Sequence, residues 1–100
     1  AGGSIVHPNL KALIITPLSP HSLNARSIVV DGNDYLSFKI FSRDNDAHLN
    51  LDGSEYLKVD SSDRMSAILS KKKIRIVRSG NKDYYSILRE KLKWGDSVIK

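Results

Sequence analysis

Apolar and polar positions alternate along the chain in short runs, each closed by turn-forming residues. The first run, Ala12–Ile15 (ALII), is continuously apolar and stops at Thr16-Pro17, as expected of a buried strand. Residues 27–30 are rich in β-branched side chains and end at Asp31-Gly32-Asn33-Asp34, a strong turn signal. Residues 35–41 place Leu36, Phe38 and Ile40 on one face and Ser37 and Lys39 on the other, the pattern of a half-buried antiparallel strand. Polar residues 43–46 form a turn. Residues 48–52 alternate again with Leu49 and Leu51 inward, Asp52-Gly53 turns the chain, and residues 56–59 return. After a turn at 60–63, residues 65–69 and 74–77 flank 70–73 and predict a last hairpin.

The period then changes. Asp83 is placed to cap a helix over YYSILREKLKW, with Tyr85, Leu88 and Leu92 on one stripe. Lys91 and Lys93 fall in the last turn, where the helix dipole favours cations, and Gly95 suits the left-handed position beyond it. Single helical turns are expected at His7-Pro8-Asn9 and at 22–26. The fold class is therefore mainly β, an antiparallel sandwich ending in one α-helix. Residues 1–80 form the β portion, and 81–100 the C-terminal helix and tail.

A chain of 100 residues holds one modest core at most. The absence of cysteine removes disulfides and thiolate metal sites. No apolar run approaches the ~20 residues of a membrane span, and the N-terminus lacks the charged and apolar regions of a secretory leader. Ala1-Gly2-Gly3 followed by an apolar run reads as the interior of a longer polypeptide. The formal charge of +5 is compatible with a nucleic acid, a membrane surface, a phosphate-bearing small molecule or plain solubility.

Several constellations carry little chemistry. Lys71, Lys72 and Lys73, with Arg75 and Arg78, form the densest basic run, but no aromatic residue interleaves it to stack bases. A solvated hairpin turn is the better reading of it. Asp44-Asn45-Asp46 begins like a calcium loop, yet His48 and Leu49 stand where an acidic or amide residue and glycine are required. His7, His21 and His48 match no zinc spacing. Neither a G-x-S-x-G elbow nor a G-x-G-x-x-G fingerprint occurs. No catalytic or metal-ligating residue is assigned.

TPLSPHSLNAR differs from these. Two prolines stiffen it, and it displays Ser19, His21, Ser22 and Asn24, short polar groups able to read a base or ribose by hydrogen bonds. A rigid connector with ordinary turn chemistry fits the same residues. The turn Asp52-Gly53-Ser54 is a second candidate.

TPLSPHSLNARSIVV is similar to the NAD kinase segment T-P-x-x-P-H-[ST]-L followed by R-P-[IL]-V-[IV]. AGGSIVHPNLKALIITP resembles the run that follows T-A-Y-S-L-S in that family, NLDGS stands where D-G-Q or D-S-Q is usual, and DYYSILREKLKWG resembles its C-terminal helix. The resemblance covers nearly the whole chain, with four motifs in order. It implies a two-domain kinase. An N-terminal α/β domain carries G-G-D-G-T, whose Asp acts as base on the adenosine-ribose 2′-hydroxyl of NAD, and a β-sandwich supplies most of the NAD site. The phosphoryl donor is ATP or polyphosphate, with a divalent cation such as Mg²⁺, and the product is NADP. The implied setting is a cytoplasmic homo-oligomer, a dimer or tetramer, whose C-terminal helix packs on its own N-terminal domain.

Carried over by position, Ser19, Pro20 and His21 match the loop that approaches NAD, and Ser54 matches a ligand-contacting Gln, although Ser is shorter and lacks the amide. Ser27 stands where Pro usually follows Arg26. G-G-D-G-T, the N-E/D motif and T-A-Y-S-L-S are absent, so the isolated chain is expected to bind without catalysing. The proline loop favours the NAD branch over the lipid and diacylglycerol kinases that share the fold. The alternative is a small basic β domain binding nucleic acid through Lys71, Lys72 and Lys73. A purely structural assembly module is a third reading.

Overall fold

The computed structural model describes residues 1–95. Six strands and one helix follow in order: β1 (Ala12–Ile15), β2 (Ile28–Asp31), β3 (Leu36–Phe38), β4 (His48–Leu51), β5 (Glu55–Lys58), β6 (Met65–Ala67) and α1 (Tyr84–Leu92). The mainly β character with a C-terminal helix agrees with the sequence pattern.

The strands pair as three antiparallel two-stranded ladders, β1–β2, β3–β6 and β4–β5. No strand of one ladder approaches a strand of another within 8 Å between Cα atoms. In β1–β2, Ala12 faces Asp31 and Ile15 faces Ile28. The other two ladders are concentric: the β4–β5 hairpin lies inside the β3–β6 pair. Nine residues on one side and six on the other separate them, so the long arm bends where pairing lapses. Val59 (7% exposed) and Met65 (9%) are the buried apolar side chains among the described residues, and both lie on the six-residue side of that bend or at its end.

Turn chemistry fixes the corners. Asp52 and Gly53 both have positive φ (50° and 73°), the pair of left-handed residues that matches strand twist in a tight hairpin. The Asp31 carboxylate accepts from Asn33 N–H (2.8 Å), and the Asp31 carbonyl from Asp34 N–H (3.0 Å), which closes the turn into β3. Gly32, also buried, donates its N–H to the Lys11 carbonyl at 3.0 Å.

The expected last hairpin does not form. The register Leu36↔Ala67 commits β6 to β3, and residues 74–77 have no partner strand among the described residues. They remain non-ladder backbone with Ile74 92% and Val77 95% exposed. The single helical turns expected at His7 and at 22–26 are simple turns, closed by Leu10 N–H to His7 C=O (3.0 Å) and Ala25 N–H to Ser22 C=O (3.3 Å).

Helix α1 is capped as read from the sequence: Ser86 N–H donates to Asp83 Oδ1 at 2.7 Å. It stops at Leu92, earlier than expected. Lys93 (φ 55°) takes the left-handed capping position assigned to Gly95, and Trp94 N–H donates back to Arg89 C=O at 3.1 Å. The half-buried side chains are Tyr84, Ile87 and Leu88, a stripe rotated from the expected one. On this side the His7 ring meets Tyr84 edge-on at 4.6 Å and Tyr85 at 5.6 Å. Residues 96–100, the end of the expected tail, lie outside the described residues.

Candidate functional site

The proline loop comprises residues 16–27, between the paired ends Ile15 and Ile28 of the β1–β2 ladder. Its base is tied across. The hydroxyls of Thr16 and Ser27 share a hydrogen bond of 3.1 Å, and Ser4 N–H donates to Ser27 Oγ at 3.4 Å. Gly3 passes so close that a Cβ there would fall 2.5 Å from Thr16 Oγ1, so the N-terminal segment lies directly against the loop base. Residues 2–4 and 25–27 thereby enclose a shallow cleft of about 330 Å³.

Beyond the base, Pro17 and Pro20 fix the backbone on either side of Ser19, which adopts the left-handed conformation (φ 48°) rarely taken by a β-carbon-bearing residue. Ser22 closes the return: its hydroxyl accepts from Asn24 N–H (3.2 Å) and its carbonyl from Ala25 N–H (3.3 Å). Ser19, Pro20 and His21 are all exposed and outside these bonds, so their polar groups face solvent. Leu23 at the tip is 98% exposed. The loop thus offers a few fixed polar groups beside an apolar tip on a short, braced ladder.

Ser54 is arranged differently. Its N–H and its hydroxyl both donate to the Leu51 carbonyl, at 3.0 and 3.1 Å, so its donors serve the hairpin. Gly53 N–H is taken by Asn50 Oδ1 at 2.8 Å. The ladder bearing Ser54 does not approach the one bearing Ser19, Pro20 and His21. Two further features were not visible in the residue pattern. One is the His7–Tyr84–Tyr85 cluster. The other is the position of Tyr35 beside Lys71, Lys72 and Lys73, which the β3–β6 pairing produces. Among the described residues no group of three or more His, Cys, Asp or Glu could hold a metal ion. No described helix is long and apolar enough to cross a membrane.

The family described as the ATP-NAD kinase C-terminal domain matches residues 1–79, the span holding the six described strands and the loop. The chain belongs to this family. NAD kinases among its relatives include that of Geotalea daltonii, 41% identical over 96% of this chain and 34% of the relative. That of Fusobacterium nucleatum subsp. nucleatum is 38% identical over 98% of this chain and 37% of the relative, and that of Clostridium botulinum is 38% identical over 94% and 33%. The chain spans about a third of the length of these curated relatives. Helix α1 lies beyond the matched residues 1–79, although the alignment with the Fusobacterium kinase takes in 98 residues.

Proposed function

We propose that this chain is the dinucleotide-binding part of an NAD kinase, an enzyme that transfers a phosphoryl group from ATP or polyphosphate to the adenosine-ribose 2′-hydroxyl of NAD, giving NADP. The observation that carries this reading is the braced loop 16–27, where Ser19, Pro20 and His21 stand free of the loop's own hydrogen bonds in a family-matched segment. Binding a dinucleotide calls for a few fixed polar groups on a stiff frame, and tying the loop base through Thr16, Ser27 and Ser4 lowers the ordering cost on binding.

Phosphoryl transfer depends on positioning and on neutralising charge. The chain carries no G-G-D-G-T motif, and its described residues fit no metal site, so no step through Mg²⁺ is assigned to it. Its role is to hold NAD for a base and cation supplied by an N-terminal α/β domain. In this reading the complete enzyme is a cytoplasmic homo-oligomer, and its ladders stack into a sandwich when that domain is present.

Two measurements test the proposal. The chain alone, given NAD, ATP and Mg²⁺, forms no NADP above background. A chimaera joining this chain to the N-terminal two-thirds of the Geotalea daltonii kinase forms NADP, and His21→Ala in it raises KM for NAD about five- to tenfold, the worth of one ligand hydrogen bond. Ser54→Ala leaves that KM within about twofold, because the hydroxyl is already given to Leu51. An inactive but folded chimaera, or a His21→Ala variant with unchanged KM, overturns the assignment.

A further inference from the structure

Strand pairing in the β1–β2 ladder ends at Ile15↔Ile28, and Thr16 and Ser27 occupy the next position along the same register. Both are half-buried. Beyond the last backbone pair their hydroxyls meet, at 3.1 Å. A hydroxyl has one proton to give and two lone pairs to receive. Ser27 Oγ uses this surplus on a third segment, accepting from Ser4 N–H at 3.4 Å. One oxygen thus joins the end of β1, the start of β2 and the N-terminal residues. Gly3 makes the junction possible: a β-carbon there would displace Thr16 Oγ1, which cannot move away without leaving Ser27.

The loop above this junction is stiff within itself but loosely mounted. Pro17 and Pro20 restrict its first half, and the Ser22 hydroxyl and carbonyl close its second. The freedom that remains is rocking of the whole loop about its two ends, residues 16 and 27. The ladder beneath is four pairs long, and no described strand of another ladder comes within 8 Å of it between Cα atoms to hold it from the side. Proline, the residue that the resemblance puts at position 27, would restrict one φ angle and carries no hydroxyl. Ser27 restricts the separation of the loop's two ends instead, and ties both to the segment that includes Ser4.

We propose that the Ser27 hydroxyl is a positioning group for dinucleotide binding: through Thr16 and Ser4 it sets the pitch of the proline loop, and so the place of Ser19 and His21. The proposal rests on the reading of loop 16–27 as the NAD-binding loop. Ser27 acts through the loop and not on the ligand, since its oxygen is engaged by the chain on two sides. Its contribution is preorganisation. It removes motion that NAD would otherwise have to arrest, which strengthens binding without entering the phosphoryl-transfer step. The signature of losing the hydroxyl is a raised KM for NAD at nearly constant kcat.

The test uses the complete enzyme, with steady-state kinetics and limited trypsin digestion. Ser27→Ala is expected to raise KM for NAD about fivefold, the effect of about one hydrogen bond, with kcat and KM for ATP within about twofold of the parent. Ser27→Thr keeps the hydroxyl and should stay within about twofold of the parent throughout. Thr16→Val preserves the side-chain shape and breaks the same bond. Combined with Ser27→Ala it should be no worse than Ser27→Ala alone, because the two groups act as one. Trypsin reads the loop without any dependence on NAD. It cuts after Arg26, in the exposed return of the loop, at a rate set by how often the loop opens. Thr16→Val leaves the Arg26–Ser27 bond unaltered and should speed that cut about fivefold. The proposal is overturned if Ser27→Ala leaves KM for NAD unchanged while His21→Ala raises it, an outcome that keeps the NAD assignment and removes only the role of Ser27. It is overturned as well if Ser27→Thr is as impaired as Ser27→Ala, if kcat falls as far as KM rises, or if trypsin cuts the Thr16→Val enzyme after Arg26 no faster than the parent. If neither His21→Ala nor Ser27→Ala moves KM for NAD, the NAD assignment and this proposal fall together.

Discussion

Gly32 shows how one residue can position two elements. Its N–H holds the Lys11 carbonyl, and the space where a β-carbon would sit is filled by Lys11 backbone and the Leu69 side chain. Backbone atoms cannot move aside as a flexible side-chain end can. Gly32→Ala should therefore destabilise the turn between β2 and β3 by about 1–3 kcal/mol, measurable as a lower urea midpoint of the complete enzyme. Asp83 acts through charge. Hydrogen bonds from Ser86, side chain first and backbone amide next, hold its carboxyl below the ordinary 3.8. Its stabilisation of α1 is therefore present above the unfolded value near 3.8 and is lost as pH falls through the lower folded value. Helicity of α1, followed by amide shifts of residues 84–92, should drop on acidification in that window. Asp83→Ala should reduce the pH dependence to the part carried by Glu90, whose carboxyl Lys82 also depresses, and lower helicity already at pH 7. Asp46 and Asp60 are depressed in the same direction by the hydroxyls of Ser42 and Ser62, and they weaken their turns in the same acid range.

Among the elements, those set by neighbouring residues were legible in the sequence. Strand β1 begins and ends where its apolar run does, the Asp52-Gly53 hairpin has both left-handed residues its sequence demands, and the Asp83 cap is in place. What was not legible depends on pairing at a distance. Residues 74–77 have as good a strand pattern as 65–69, but pairing β6 with β3 leaves them without a ladder. The stripe of α1 followed its periodicity only approximately, and its half-buried Tyr84 meets His7, 77 positions earlier, a contact no local pattern announces. The candidate site divides in the same way. The stiff polar loop was readable from its prolines, whereas the loss of Ser54's donors to Leu51 needed coordinates. His7→Ala should leave the three ladders intact and release the helix, seen as loss of protection in α1 amides without change in β4–β5.

At the scale of the molecule the chain is extended. Its radius of gyration is 18.1 Å, against about 13 Å for a compact domain of this length, and it measures 55 × 37 × 25 Å. Val59 and Met65 are the buried apolar side chains among the described residues, and burying two such groups contributes only about 3–6 kcal/mol. Ile74, Ile76, Val77, Phe41 and Leu23 meanwhile face solvent. Taken alone, the 100-residue chain should unfold in urea over a broad, non-sigmoidal range and bind a hydrophobic dye. Joining it to the N-terminal part of a relative should sharpen the transition and displace the dye.

The concentric arm has a consequence for how the chain assembles. The innermost reverse turn joins neighbours only a few positions apart, so it costs little entropy and can close within microseconds. Once shut, it shortens the span that β3 and β6 must bridge, and pairing spreads outward like a zip toward Leu36 and Ala67. A rigid substitution at Gly53 would therefore be felt first as slower closure of strands that it never touches.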